Sequence, residues 1–286
     1  MMMVFLFFGY YYLQKHVNNR FRQKFDWAIS EINPYAALDY EKVHVNFIGS
    51  KIKIEGICLM PVDTNEKIRI DELVINKCDL ENNIPVRTHF EIKGVHFTSD
   101  KNLLKKAMPY LFQMGYNDII ANFELAYTFD SRRSEFDIHN LTIEASDMGK
   151  LKLMLNFKGF DVTKILSGID NISDLATVFF QISIDAAEIR YNDYSFLKKL
   201  VQSRENQSIQ PYMFFIHEAA RGIDHAIEKE ESLPTKSALM SLRDFMTDPD
   251  KINIVAKPDQ PVPLSRFIWV KSLKDIIEIL HIKIVI

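Results

Sequence analysis

The stretches IKIEGICL (52–59), IRIDELVI (68–75) and FEIKGVHF (90–97) share one pattern: apolar, any, apolar, a polar spacer, a second spacer, then apolar, any, apolar. In a straight strand successive side chains alternate between faces, so Ile52 and Ile54 would point one way and Ile57 and Leu59 the other. A bulge or bend at the spacers turns both apolar pairs to one face. Gly56 and Gly94 stand at the second spacer, where glycine tolerates the backbone such a bend needs. The pattern recurs in FDIHNLTI (136–143), in LNFKGFDV (155–162, with Gly159 at the spacer) and in ISIDAAEI (182–189). Each copy then predicts a bent strand with a single apolar face, on which Ile52, Ile54, Ile57 and Leu59 point together, as do Ile68, Ile70, Leu73 and Ile75. These residues are the candidates for an apolar face that holds or shields apolar material. The competing reading is coincidence, or strands buried on both sides, because so loose a template finds matches by chance in an apolar chain.

The flanks extend the strand reading. Val43, Val45 and Phe47 alternate before the first copy, and Phe123, Leu125, Tyr127 and Phe129 alternate before the fourth. A linker helix is expected over Phe21–Ile32, ended by Asn33 and Pro34, and another from Leu103 to about Met114 with Pro109 as a kink and Gly115 as a stop. The character changes after Tyr191. Residues 194–247 read as helices: Phe196, Leu197, Leu200 and Val201 share one face, a second helix runs from Pro211 to about Lys229, and a third starts after Pro234 and ends before Asp248 and Pro249. A strand over Ile252–Ala256, the extended KPDQPVPL, an N-cap box at Ser272 and Asp275, and a final strand HIKIVI follow. The expected organisation is an anchor and linker over 1–33, a β-rich domain over 34–193, and a helical segment over 194–286 that returns to the sheet near 252–256 and 281–286. The fold class is α+β, a curved, mostly antiparallel sheet with an N-terminal membrane helix and a C-terminal helical insertion.

Composition narrows the function classes. With 47% hydrophobic and 26% charged residues the chain has ordinary globular usage. The formal net charge of -3 gives no concentrated positive field for a phosphate backbone, which argues against nucleic acid as a partner. The 21 Phe and 11 Tyr against 9 Gly suit a β-type interior. Cys58 and Cys78 read as free thiols, since a simple hairpin over 51–77 places Cys58 opposite the region of Ile70, far from Cys78.

Met1–Leu13, MMMVFLFFGYYYL, carries no charge and is followed by Lys15, Arg20, Arg22 and Lys24. It reads as the end of a membrane helix, with Tyr10, Tyr11 and Tyr12 at the interface, where an aromatic ring is buried while its hydroxyl stays wet. Its helical length of about 20 Å is short against a hydrocarbon thickness of roughly 30 Å. The alternative is a buried first helix of the body. No basic residue precedes the run and no small-x-small site follows it, which argues against a cleaved leader.

No catalytic constellation emerges. His44, His89, His96 and His139 alternate with apolar residues in strands, as outward polar sites do. HEAAR (217–221) places Arg221 where a zinc-binding helix needs its second histidine, and His217 with His225 lacks a third ligand, so no metal site is assigned. There is no glycine-rich phosphate loop, Gly49-Ser50-Lys51 lacking its flanks, and no nucleophile elbow. Asp130–Arg133 and Asp248-Pro249-Asp250 read as turns. The expectation is a protein without catalytic activity, cofactor or metal.

On the copies at 52–59, 68–75 and 136–143, the chain resembles the AsmA-like proteins of bacterial envelopes and, less closely, the YdgA-type proteins. The later part, through DPDKINI and KPDQPVPL, resembles uncharacterised proteobacterial single-pass envelope proteins. The resemblance implies an inner-membrane anchor, a body in the periplasm, and a curved sheet associated with envelope assembly or lipid traffic. It gives a first reading, a single-pass envelope protein whose β domain holds or shields apolar material, of which lipid acyl chains are one example, with membrane lipid as partner. A second reading makes the chain an interaction scaffold whose helical part docks another envelope protein.

Overall fold

The computed structural model describes residues 23, 26, 36–46, 51–62, 67–76, 86–98, 111, 114–160, 179–202 and 210–286. The chain divides into two compact units, Met1–Leu125 and Ala126–Ile286. The division falls within strand β6 (Asp118–Asp130), inside the span 34–193 expected to form the β-rich domain.

The first unit is built on β1 (Ala36–Asp39), β2 (Lys42–Asn46), β3 (Lys51–Pro61), β4 (Ile68–Asn76) and β5 (Arg87–Thr98), each paired antiparallel with its neighbour. The bend expected at the spacers is present, but not as an inserted residue. Glu55↔Glu72 and Ile57↔Ile70 keep one register on either side of Gly56 and Asp71, and Ile70↔Val95 and Glu72↔Lys93 do the same around Asp71 and Gly94. Because the spacer of each strand faces the spacer of the next, neighbouring strands reverse their alternation together and no slip is needed. Gly56 (φ 65) and Gly94 (φ 63) supply the left-handed backbone that reverses it. A side chain at Gly94 would collide with Asp71, and one at Gly56 with Glu41. The Gly94 N–H donates to Asn122 Oδ1 at 2.9 Å, which carries the irregular row one strand further.

The two faces of this unit differ sharply. On one, Val45, Ile52, Ile54 and Ile57 are buried together, with Leu38, Tyr40, Val43, Ile70, Leu73 and Ile75 packed against them. On the other, Lys53 bridges Glu55 and Glu72, each at 2.6 Å, and Lys93 bridges Glu72 (3.4 Å) and Glu91 (2.9 Å). His89 continues the network to Glu91 (3.7 Å) and Glu124 (3.0 Å). The lysine beside them holds Glu55, Glu72 and Glu91 below the usual carboxylate range, and the carboxylates raise Lys53 and Lys93. Each exposed pair adds little stability alone. Together they make the polar face of the sheet, on which Val74, directly opposite Lys53 and Glu91, is nevertheless fully buried.

In the second unit β7 (Glu135–Ala145), β8 (Gly149–Lys158), β9 (Ser183–Asp193), β10 (Lys251–Ala256) and β12 (Ile282–Val285) follow in that order, and β11 (Val262–Pro263) pairs with β9. Here the spacers do slip. The register shifts between Ile138 and Leu141 on β7, at the spacers His139 and Asn140, and again where Asn156↔Ala186 gives way to Phe157↔Ile184, leaving Asp185 extra. The turn before β7 is closed by the N–H groups of Arg132 and Arg133 on Asp130 Oδ1, at 2.9 and 3.2 Å.

Helices α1 (Phe196–Gln202), α2 (Gln210–Lys229), α3 (Leu233–Thr247) and α4 (Leu273–Ile279) and a 3-10 helix (Leu264–Trp269) complete this unit. Asp193, itself buried, starts α1 by accepting from the N–H groups of Leu197 (2.7 Å) and Lys198 (3.1 Å). Pro234 lies in the first turn of α3, where its missing N–H has no intrahelical partner to lose. Ile223, Ala238, Leu239 and Ile277 form the core between helices, with Ile282 and Ile284 of β12 packed against it. Tyr191 of β9 meets Phe245 of α3 edge-on at 6.1 Å.

Several expectations are corrected. Among the described residues no helix is long and apolar enough to cross a membrane, and the fold class they support is α+β, a mostly antiparallel sheet with helices, with no membrane helix in it. Met1–Leu13, where that helix was placed, lies outside the described residues, as do the helix over Leu103–Met114 apart from Leu111 and Met114, the linker helix apart from Gln23 and Asp26, and Cys78. The strand path is open, ending at β1 in the first unit and at β12 in the second. The single-pass inner-membrane location and membrane lipid as partner, which rested on that anchor, are not retained, nor are the periplasmic body and the role of holding or shielding apolar material that the resemblance implied.

Candidate functional site

The apolar candidates of the first unit are placed as follows. Ile52, Ile54 and Ile57 are buried in one cluster, Ile54 with no exposure at all, and Ile70, Leu73 and Ile75 pack against them. Leu59 and Ile68 pair with each other at the end of the ladder, half-buried and outside that cluster. Ile52, Ile54 and Ile57 are buried as core side chains are, while Ile70, Leu73 and Ile75 stay half-buried beside them. The histidines of the strands are absorbed by neighbours: His44 by Glu55, His89 by Glu124, His96 by Asp71 and His139 by Thr128. Among the described residues no grouping of His, Cys, Asp and Glu could hold a metal ion.

Exposed large apolar side chains occur in both units, and the two most exposed among the described residues, Trp269 and Leu233, lie on the helical part of the second. Trp269 is 80% exposed and Ile268 57%, at the end of the 3-10 helix, and Leu273 opens α4 at 41%. Leu233, at the start of α3, is 79% exposed. Side chains of this size left in water on adjoining turns are uncommon, and a contiguous apolar patch marks an interaction surface.

The turn that carries them is firmly built. Ser272 and Asp275 form a capping box: Asp275 N–H donates to Ser272 Oγ at 3.2 Å, and the N–H groups of Lys271 and Ser272 donate to Asp275 Oδ2 at 2.9 and 3.0 Å. These N–H donors, Lys271 first, hold Asp275 below the usual carboxylate range. Val270 N–H closes the preceding turn on the Phe267 carbonyl at 3.2 Å. From the other side, Glu230 in the α2–α3 connection reaches Lys274 at 3.1 Å with a side chain only 2% exposed, and accepts from Ser232 N–H at 2.8 Å. The start of α3, with Leu233, is thereby tied to the start of α4, with Leu273.

The Ser232 N–H, then Lys274, hold the Glu230 carboxyl below the usual range. A carboxylate whose folded pKa is depressed contributes stability that is present above its unfolded pKa, near about 4.3, and is lost as pH falls through the folded value. Glu230→Gln is therefore expected to lower the urea midpoint at neutral pH. The difference from the parent chain should shrink as pH is taken below about 4.3 and the parent's own carboxylate is protonated.

Arg266 and Lys271 flank Trp269, and among the described residues neither forms an ion pair, so the apolar patch has a basic rim. The sequence pattern beyond KPDQPVPL did not single out Ile268 and Trp269. The available signal was the RFIWV run (266–270) that follows the prolines with neither helical nor strand spacing.

Comparison with curated proteins finds none that matches the chain. A family model described as "Uncharacterized protein" matches residues 142–285, which span α1 to α4 and the strands they pack on. Neither finding lends support to an AsmA-like or YdgA-type identity. The match extends over half of the 286 residues, and the chain belongs to that family of uncharacterised proteins.

Proposed function

We propose that the chain is an interaction scaffold that docks another protein through the helical part of its second unit. One observation carries this reading: Trp269 and Ile268 stand exposed on a turn fixed by hydrogen bonds on both sides, so the anchor is ordered before any partner arrives. Tryptophan supplies a large contact area with few rotatable bonds, and such residues dominate binding energy at interfaces. A pre-ordered anchor also loses little conformational entropy on association. The basic rim of Arg266 and Lys271 selects a partner whose apolar recess is bordered by acidic groups.

The test uses the full chain as immobilised bait. An Ile268→Ser/Trp269→Ser double variant is expected to unfold at the same urea concentration as the parent, within about 0.5 kcal/mol, because exposed side chains contribute little to stability. A partner recovered by the parent should be lost from the double variant and retained by a polar control, Lys257→Ser. Equal recovery by parent and double variant would remove this surface from the account.

A further inference from the structure

In the first unit a cleft of about 480 Å³ opens at the row where the strands bend, lined by Glu41, Gly56, Cys58, Lys67, Arg69 and His96. The register Cys58↔Arg69↔His96 sets those side chains abreast on three adjoining strands. Lys67, two residues before Arg69, lies on the same side. Volumes of this size are those of small-molecule sites.

The charges in the cleft are wired differently from the rest of that face. On the other side of Gly56, Asp71 and Gly94, Lys53, Glu55, Glu72, Lys93 and Glu91 are bridged into one network. Within the cleft, Arg69 meets Asp71 Oδ1 most closely through Nε, at 3.3 Å, and His96 occupies the other Asp71 oxygen at 2.9 Å. The His96 hydrogen bond, with Arg69 adding to it, holds Asp71 below the usual carboxylate range. Asp71 is the one described acid with which Arg69 pairs, and the Arg69 side chain is otherwise open to solvent, 72% exposed. Lys67 and Glu41 line the same cleft, yet neither forms an ion pair with the other or with any described residue. Opposite charges held apart across a concave surface keep fields that a paired network cancels.

We infer that this cleft binds a small zwitterion of the amino-acid class, its carboxylate held by Lys67 and the Arg69 guanidinium and its ammonium group by Glu41. The bend makes the site. Glycine at 56 leaves room for the Glu41 side chain, which a Cβ there would strike. The turn in β3 brings Cys58 and its row beside it. Cys58, a free thiol, stands in the lining as a reporter of occupancy and takes no part in binding.

Calorimetric titration of the full chain with each of the twenty free amino acids tests the inference. Saturable binding by at least one is expected. At saturation the alkylation of Cys58 by iodoacetamide should slow relative to the Cys78 peptide, both read by mass spectrometry. Glu41→Gln and Lys67→Gln, at exposed positions that leave the circular dichroism spectrum unchanged, should each weaken binding at least about tenfold, the effect of losing one charged hydrogen bond. Absence of saturable binding by any amino acid would overturn the inference. So would binding that neither substitution weakens, or citrate binding to Glu41→Gln as tightly as any amino acid binds the parent.

Discussion

Ile54→Asp is expected to destabilise the first unit by about 4 kcal/mol or more, because it removes apolar packing and buries an unpaired polar group in its place. Ile54 has no exposure and its neighbours Ile52, Ile57 and Val45 are apolar, so none of them can satisfy a carboxylate. Burial raises the pKa of the new acid. A raised carboxylate pKa removes stability as pH rises above the unfolded value, so the deficit should be larger at pH 7 than below about pH 4. The contrast is Lys53→Gln, one residue away on the polar face, where the lysine side chain is 35% exposed. It opens the bridges to Glu55 and Glu72 but buries nothing, and its effect on the urea midpoint should be much the smaller of the two. Comparable losses from both would mean that Ile54 is not at the centre of the core.

The second large effect is expected at Gly159. Its φ of 73 lies in the left-handed region, and a Cβ placed there would overlap the backbone carbonyl of Gln181, which cannot swing aside as a side chain can. Gly159→Ala should cost about 3 kcal/mol in the second unit, the left-handed penalty adding to a backbone collision. Gly115→Ala gives the comparison. Its φ of 85 is equally left-handed, but no described residue lies within 4 Å of the added atom, so it should lose only the conformational part. Equal losses would show that the close approach of Gln181 contributes nothing.

These sites show what was legible in the sequence. The six-copy pattern located the irregular points correctly: Gly56, Gly94, the His139–Asn140 pair and Asp185 all fall at spacers. What the pattern could not tell was how each strand would bend. A slip between strands depends on what the neighbour presents opposite, and only the pairing of Gly56 with Asp71 and of Asp71 with Gly94 makes the first unit bend without one. Ser272 with Asp275, and Pro234, were readable because a helix start depends on a few consecutive residues. Whether the face of Ile52, Ile54 and Ile57 was an open lining or a closed core was not readable, since an apolar stripe is identical in both cases. The weight placed on Met1–Leu13 shows the same limit, as an uncharged run of that length fits a core helix as well as a bilayer. Trp269 escaped for a related reason: exposure is set by what packs nearby, and RFIWV has no periodicity to reveal which side chains remain outside.

The scaffold account stands on Trp269, and the most direct measurement is site-specific photocrosslinking in living cells. A photoreactive phenylalanine analogue is installed at residue 269 of the full chain, and in a second strain at Lys251, an exposed position on β10. Covalent partners are identified by mass spectrometry with the crosslinked peptide mapped. The account predicts one reproducible protein partner from position 269, joined through a segment that combines apolar and acidic residues, and none in common from position 251. Crosslinks from 269 that are no more selective than those from 251 would contradict it.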